Sequence, residues 1–166
     1  MSPLLALAAV AIKLEDRGPV LYRQWRVGKD GVEFELLKLR TMVVGAESKG
    51  LGAAVEQGDS RITRIGRLLR RSSIDELPQL WNVLRGEMSI VGPRPAPPRE
   101  VEGYDIWHRR RLSMKPGITG LWQVTARSDD SFERRAELDL DYIDRWSIWL
   151  DLKIMVMTVP AALEGR

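Results

Sequence analysis

The stretch SSIDELPQLWN, residues 72–82, sets two acids side by side, Asp75 and Glu76, among apolar neighbours. An ionised aspartate is a competent nucleophile toward phosphorus and forms an aspartyl-phosphate type intermediate. A neighbouring glutamate could hold Mg²⁺ together with the aspartate and substrate phosphates, since this ion favours one or two carboxylates plus phosphate oxygens. Attack on a pyrophosphate also needs cations to offset its charge. Lys38, Arg40, Arg70 and Arg94 are the candidates near in sequence. The same two acids also have a purely structural explanation. Ser73-x-x-Glu76 matches a capping box. Alternatively Asp75 is an N-cap and Pro78 sits in the first helical turn, where its missing N–H costs little. Both explanations place the acids at a helix N-terminus, whose dipole favours carboxylate and phosphate alike, so the pair alone leaves both open.

The bulk properties narrow the field. A chain of 166 residues with 44% hydrophobic and 30% charged residues fits one globular domain and not a wholly embedded membrane protein. The net charge of +3 and pI near 9.4 favour anionic partners. The chain has no Cys, which excludes disulfides, thiolate nucleophiles and Cys-ligated zinc. Any histidine chemistry would have to run through His108, the single His, and we read it as structural or surface. A nucleic-acid module is disfavoured: 23 acidic residues stand beside 26 basic ones, with no aromatic-interleaved basic patch.

The elements that must carry these residues are legible in outline. PVLYRQWRV and VEFELLKL, joined by GKDG within residues 19–42, read as a β-hairpin. Residues 43–60, with four glycines, read as a loop. SRITRIGRLLRR, 60–71, carries an apolar stripe of Ile62, Ile65 and Leu69. A second stripe of Arg61, Arg64, Arg67 and Arg71 is either a solvated side or a phosphate and headgroup surface. Residues 76–85 read as helix. GEMSIVGPRPAPP (86–98) and KPGITG (115–120) read as rigid loops. A helix is expected over 131–145 with Phe132, Ala136, Leu140 and Ile143 inward. LLALAAVAI (4–12) is too short to span a bilayer, which takes roughly 20 residues. It is a buried helix or half of a membrane-inserted hairpin. WSIWLDLKIMVMTV (146–159), apolar on nearly every side, is deeply buried or lies on a membrane. The fold class expected is α+β, mostly helical with a small antiparallel hairpin.

KLRTM (38–42), SIDELPQLWNVLRGEMSIVGPRP (73–95), KPGITGLWQV (115–124) and DYIDRWSIWLDLKIMVMT (141–158) resemble, in order and over nearly the whole chain, the signature blocks of the bacterial sugar transferases. These are the monotopic phosphoglycosyl transferases that act on polyprenyl phosphate. The resemblance implies one catalytic domain over residues 1–166. It also implies transfer of a sugar 1-phosphate from a UDP-sugar to undecaprenyl phosphate, with UMP released. The reaction would run through a covalent phosphosugar on Asp75, with Glu76 as its partner and Mg²⁺ held by the two. Matched block by block, Lys38, Arg40, Arg70 and Arg94 become phosphate ligands, and Gln123 is carried over as a weaker member of the nucleotide pocket.

The resemblance also implies a membrane setting on the cytoplasmic face of the bacterial inner membrane, with lipid as a partner. Ser2-Pro3 matches the break of a re-entrant helix, residues 1–14 being its remnant, and a proline break with a nearby Ser suits such a turn. Family members carry the complete re-entrant hairpin, so an N-terminally truncated form is expected. The last apolar segment becomes an interfacial helix with Trp146 and Trp149 at headgroup depth, and the Arg stripe could face anionic headgroups. Sugar identity and oligomeric state are not implied, and a homodimer stays open.

Overall fold

A computed structural model describes residues 3–46, 59–126 and 131–163. Helices take 56% of these residues, beside a small antiparallel two-stranded sheet, as the α+β reading expects. The sheet is the hairpin β1 (Leu21–Val27) and β2 (Glu33–Leu39). A 3-10 turn at Lys29–Gly31 joins the strands, and Gly28 N–H closes it on Val32 C=O at 2.8 Å. Most of the loop expected over 43–60 lies outside the described residues.

Two compact units divide the chain. The first comprises residues 1–22, 38–78 and 162–166; the second comprises 23–37 and 79–161.

The first unit is built on helices α1 (Pro3–Asp16) and α2 (Arg64–Arg71). Ala8 and Ile12, one turn apart on α1, bury against Leu39 and Leu69, with Ile65 and Ile74 packed alongside. Thr63 caps α2, its hydroxyl accepting from Gly66 N–H at 2.9 Å. The Glu15 carboxylate accepts from Arg64 and Ile65 N–H at 2.7 and 3.0 Å, which satisfies two more free donors of that terminus. Only Arg64, Arg67 and Arg71 of the expected stripe are helical, and they are exposed. Arg61 lies before the helix and pairs with Asp59 at 2.6 Å, while Ile62 bridges to Met42. Gly66 is required by contact: a Cβ there would sit 2.0 Å from Thr41 C=O, a backbone atom that cannot swing away.

In the second unit, α3 (Gln79–Leu84) carries Asn82, which is 0% exposed. Its amide donates to Glu35 C=O at 2.7 Å, and its oxygen accepts from Leu37 N–H at 3.1 Å. One side chain thus clips the helix to β2 above the core of Phe34, Leu36 and Met88. The two stretches expected as rigid loops each contain a short strand, β3 (Ser89–Val91) and β4 (Gly117–Thr119), paired in parallel with Ser89 opposite Gly117. Three-residue strands in Gly- and Pro-rich sequence carry no alternation to betray them, which is why they read as loops. Gly117 is demanded here, because a Cβ would lie 2.2 Å from Gly92 N.

Short helices α4 (Pro98–Glu102), α5 (Ile106–Arg109) and α6 (Leu121–Thr125) follow, then α7 (Phe132–Asp144) and α8 (Ile148–Leu163). Ala136 and Leu140 are buried as expected, together with Tyr142. Tyr142, Val91 and Ile154 form the α7–α8 core. Asp151, the acid that interrupts the apolar run of α8, accepts from Tyr142 Oη at 2.8 Å and Trp146 Nε1 at 3.3 Å. Ile154 is buried, yet Trp149 and Val156 are 77% and 72% exposed, so only one stripe of α8 faces the protein. Leu7, Val10 and Leu14 of α1 are exposed as well. No helix among the described residues is long and apolar enough to cross a membrane. His108 is inside an aromatic group, with Phe132 and Trp107 at ring-centroid distances of 4.9 and 5.0 Å.

Gly66→Ala is expected to destabilise the chain by about 1–3 kcal/mol through overpacking, measured by urea unfolding; an unchanged midpoint would show that α2 does not need its close approach to Thr41. A second expectation concerns acid. Partial burial raises the Glu15 pKa, but the N–H bonds from Ile65 and Arg64 outweigh it and hold the carboxyl below its ordinary value of 4.5. A folded value below the unfolded one means stability present above 4.5 and lost as pH falls through the lowered value. Glu15→Gln should therefore flatten the acid side of the melting profile, and an identical profile in both proteins would deny the cap any role.

Candidate active site

The acidic pair sits in a tight reversal after α2. Ser72 closes the helix, its hydroxyl donating to Leu68 C=O at 2.9 Å. Ser73 then takes the left-handed conformation at φ 54°, which is strained for a residue with a side chain. Residues Ile74–Glu76 form one 3-10 turn, and α3 starts only at Gln79. Neither capping expectation holds. Ser73 makes no side-chain cap bond, Asp75 lies inside the 3-10 turn, and Pro78 precedes the helix. The acids therefore follow a helix C-terminus, where the dipole disfavours negative charge. Charge compensation has to come from side chains.

Asp75 is 4% and Glu76 9% exposed, and cations of the first unit reach this neighbourhood. Lys38 Nζ lies 3.1 Å from Glu76 Oε1, with both side chains largely buried. Arg70, in the last turn of α2, donates from Nε to Thr41 Oγ1 at 2.9 Å. Arg40 is directed elsewhere. Buried, it places Nη1 3.2 Å from Asp16 Oδ2 at the end of α1, and its terminal nitrogens make no well-formed hydrogen bond among the described residues. The structure brings Lys38 to the dyad and turns its expected partner Arg40 to a different carboxylate.

Arg94 and Gln123 belong to the second unit. Paired strands β3 and β4 hold their loops together, with Gly117 N–H donating to Pro93 C=O at 2.9 Å. The Arg94 guanidinium carbon then lies 5.4 Å from the centre of the Trp122 ring. Gln123 donates to Ile118 C=O at 3.0 Å, and its buried Oε1 has no hydrogen-bond partner among the described residues.

Under this loop lies an ion pair that the sequence reading did not isolate. Asp139, 2% exposed, accepts from Arg111 Nη2 at 2.7 Å and Nε at 3.0 Å, and from the backbone N–H of Arg94. Arg111 also donates to Glu100 at 3.3 Å and to the Tyr104 hydroxyl. Burial pushes the Asp139 carboxyl up to about 6, against the pull of Arg111 and Arg94. The signal for this pair was present: Asp139 is an acid three residues after Ala136, on the inward stripe of a helix. Asn82 and Thr41 were missed because small polar residues in buried seams look unremarkable in sequence.

Asp139→Ala leaves the buried Arg111 charge without its main partner and should cost about 3–5 kcal/mol, read from denaturant unfolding; a loss below about 1 kcal/mol would mean that the pair is easily replaced by water.

The model of the bacterial sugar transferase family matches residues 1–165. A UDP-glucose:undecaprenyl-phosphate glucose-1-phosphate transferase of Caulobacter vibrioides is 48% identical over 98% of this chain and 63% of its own length. Galactosyl transferase CpsE of Streptococcus agalactiae is 45% identical over 98% of this chain and 40% of its own. The exopolysaccharide production protein ExoY of Sinorhizobium fredii is 41% identical over 100% of this chain and 80% of its own. The chain thus spans less than two thirds of the first two relatives. A match over nearly its full length, with the quoted blocks in place, makes this chain a member of the bacterial sugar transferase family.

Proposed function

We propose that this protein transfers a sugar 1-phosphate from a UDP-sugar to undecaprenyl phosphate and releases UMP, a first membrane step of bacterial surface glycan assembly. The observation that carries this reading is the buried Asp75–Glu76 turn with Lys38 on Glu76, in a chain of this family. The relatives' names divide between glucose and galactose, so the sugar is a hexose left unchosen.

The Asp75 carboxylate oxygen attacks the sugar-bearing β-phosphorus, and the bond from that phosphorus to the bridging oxygen breaks. UMP leaves with the electron pair, and the sugar phosphate stays on Asp75 as an acyl phosphate. A phosphate oxygen of the polyprenyl phosphate then attacks the same phosphorus and frees Asp75. Lys38 holds Glu76 in place beside the reacting carboxylate. Arg70 and Arg94 offset phosphate charge on donor or acceptor. Arg40 and Gln123 stay as weaker assignments, the first because it is turned to Asp16.

Two adjacent buried carboxylates fit Mg²⁺, whose usual protein share is one or two carboxylates with phosphate oxygens completing the shell. Among the described residues no group of three or more His, Cys, Asp or Glu is placed to hold a metal ion. Asp75 and Glu76 would hold Mg²⁺, and it would supply charge neutralisation at the diphosphate.

In this proposal the chain sits on the cytoplasmic face of the inner membrane, with α1 in a re-entrant segment and α8 at the interface. The exposed Leu7, Val10 and Leu14 of α1 and Trp149, Val156 and Val159 of α8 support it, because such apolar surface is poorly suited to water.

Incubation with Mg²⁺ and UDP-glucose or UDP-galactose, without lipid acceptor, should add one sugar phosphate to the intact mass and release UMP. Asp75→Asn should lose the adduct and lower turnover roughly a thousandfold or more while melting as the parent does. Turnover retained in Asp75→Asn would remove it as nucleophile.

A further inference from the structure

Arg135 has no role in the mechanism above, yet its setting in the second unit is unlike that of its neighbours. Four arginines on or beside α7 are matched with carboxylates. Arg134 pairs with Glu137 at 3.0 Å, Arg145 with Asp141 at 3.0 Å, Arg110 with Asp144, and Arg111 with Asp139. Arg135 is half-buried and takes no ion pair or side-chain hydrogen bond among the described residues. Its guanidinium carbon lies 5.7 Å from the centre of the Trp122 ring, the same ring that carries Arg94 at 5.4 Å. Two guanidiniums thus share one indole, and the ring itself is buried. An aromatic face offsets only a small part of a cation's lost hydration. Placing two like charges on one ring, with no acid paired to Arg135 among the described residues, is unfavourable by itself. It becomes favourable once an anion with several acceptor oxygens is bound.

Arg94 is anchored through its backbone. The backbone N–H of Arg94 is bound by the buried Asp139 carboxylate. Arg135 stands four residues before Asp139, hence on the same side of α7. Helix and loop thus bring the two side chains to one ring.

We propose that Arg135 is a second substrate-binding arginine, which acts with Arg94 on the Trp122 platform to hold a phosphate group of the donor or of the acceptor. This rests on the transferase reading above and adds to it a residue, a platform and a ligand class.

The test measures UDP-glucose and UDP-galactose affinity by calorimetry and the KM for undecaprenyl phosphate in wild type, Arg135→Gln and Arg135→Lys, beside the melting temperature of each. Arg135→Gln should weaken one of the two substrates roughly tenfold or more with melting unchanged. Arg135→Lys, which keeps the charge but loses the planar stack, should fall between. Weaker UDP-glucose binding assigns the site to the donor; a raised acceptor KM with donor affinity intact assigns it to the lipid phosphate. The double variant with Arg94→Gln should lose less than the two single losses combined, as expected of residues sharing one ligand. Unchanged affinity for both substrates, or a lowered melting temperature with affinity intact, overturns the proposal and leaves Arg135 a packing residue. If wild type binds neither UDP-glucose nor UDP-galactose and forms an adduct with neither, the transferase reading falls and this inference with it. A wild type that binds normally while Arg135→Gln does the same sinks the inference alone.

Discussion

The contact between Lys38 and Glu76 is the interaction on which the candidate site depends. Two carboxylates removed from water beside a helix C-terminus are unstable unless cations come with them. The cation here arrives from the last residues of a hairpin, far away in sequence. That requirement explains why KLRTM is a block and not a scatter of residues. In five positions of extended chain, Lys38 goes to Glu76, Leu39 to the α1–α2 core and Arg40 to Asp16. Thr41 receives Arg70 on its hydroxyl and Thr63 N–H on its carbonyl, at 2.9 and 3.1 Å, and Met42 bridges to Ile62. One stretch of backbone thus fixes both helices of the first unit and the charge balance of the dyad.

What was legible in the sequence was what obeys a period or a turn rule. The hairpin, α7 with Ala136 and Leu140 inward, and the Ile65–Leu69 stripe of α2 all follow from alternation or 3.6-residue spacing. The dyad was recognisable as residues but not as geometry. Ser73-x-x-Glu76 fits a capping box as text, yet the left-handed Ser73 ends one helix instead of starting another. A pattern of residue types does not encode which side of a helix boundary it lies on. The parallel pairing of β3 and β4 was beyond reach, because its strands have three residues each and 25 residues lie between Val91 and Gly117. Nothing local announces a partner at such a distance.

The second unit solves its own charge problem differently. Asp139 and Arg111 are both buried and bind each other, and the surplus acceptor capacity of the carboxylate is used on the backbone of Arg94. A buried pair of this kind is weak support for stability, since desolvation cancels much of the attraction. Its use is in position: it fixes a Gly- and Pro-rich loop that lacks the ladder of a long strand. The sequence of residues 108–111, His-Arg-Arg-Arg, does not say which of them turns inward, because that is decided by the acid on α7.

Helix α1 links the apolar and the catalytic themes. Its Ala8 and Ile12 lie in the same cluster as Ile74, the residue immediately before Asp75. Its remaining surface bears Leu7, Val10 and Leu14, all exposed. A water-facing helix would carry charge on that side; an apolar helix wholly inside a core would leave neither side open. A helix with one apolar side spent on the core beneath the dyad turn and another exposed among the described residues has apolar surface to spare. That combination is what the proposed lipid interface requires: the element that would enter the membrane is also the floor on which the reacting carboxylate is mounted.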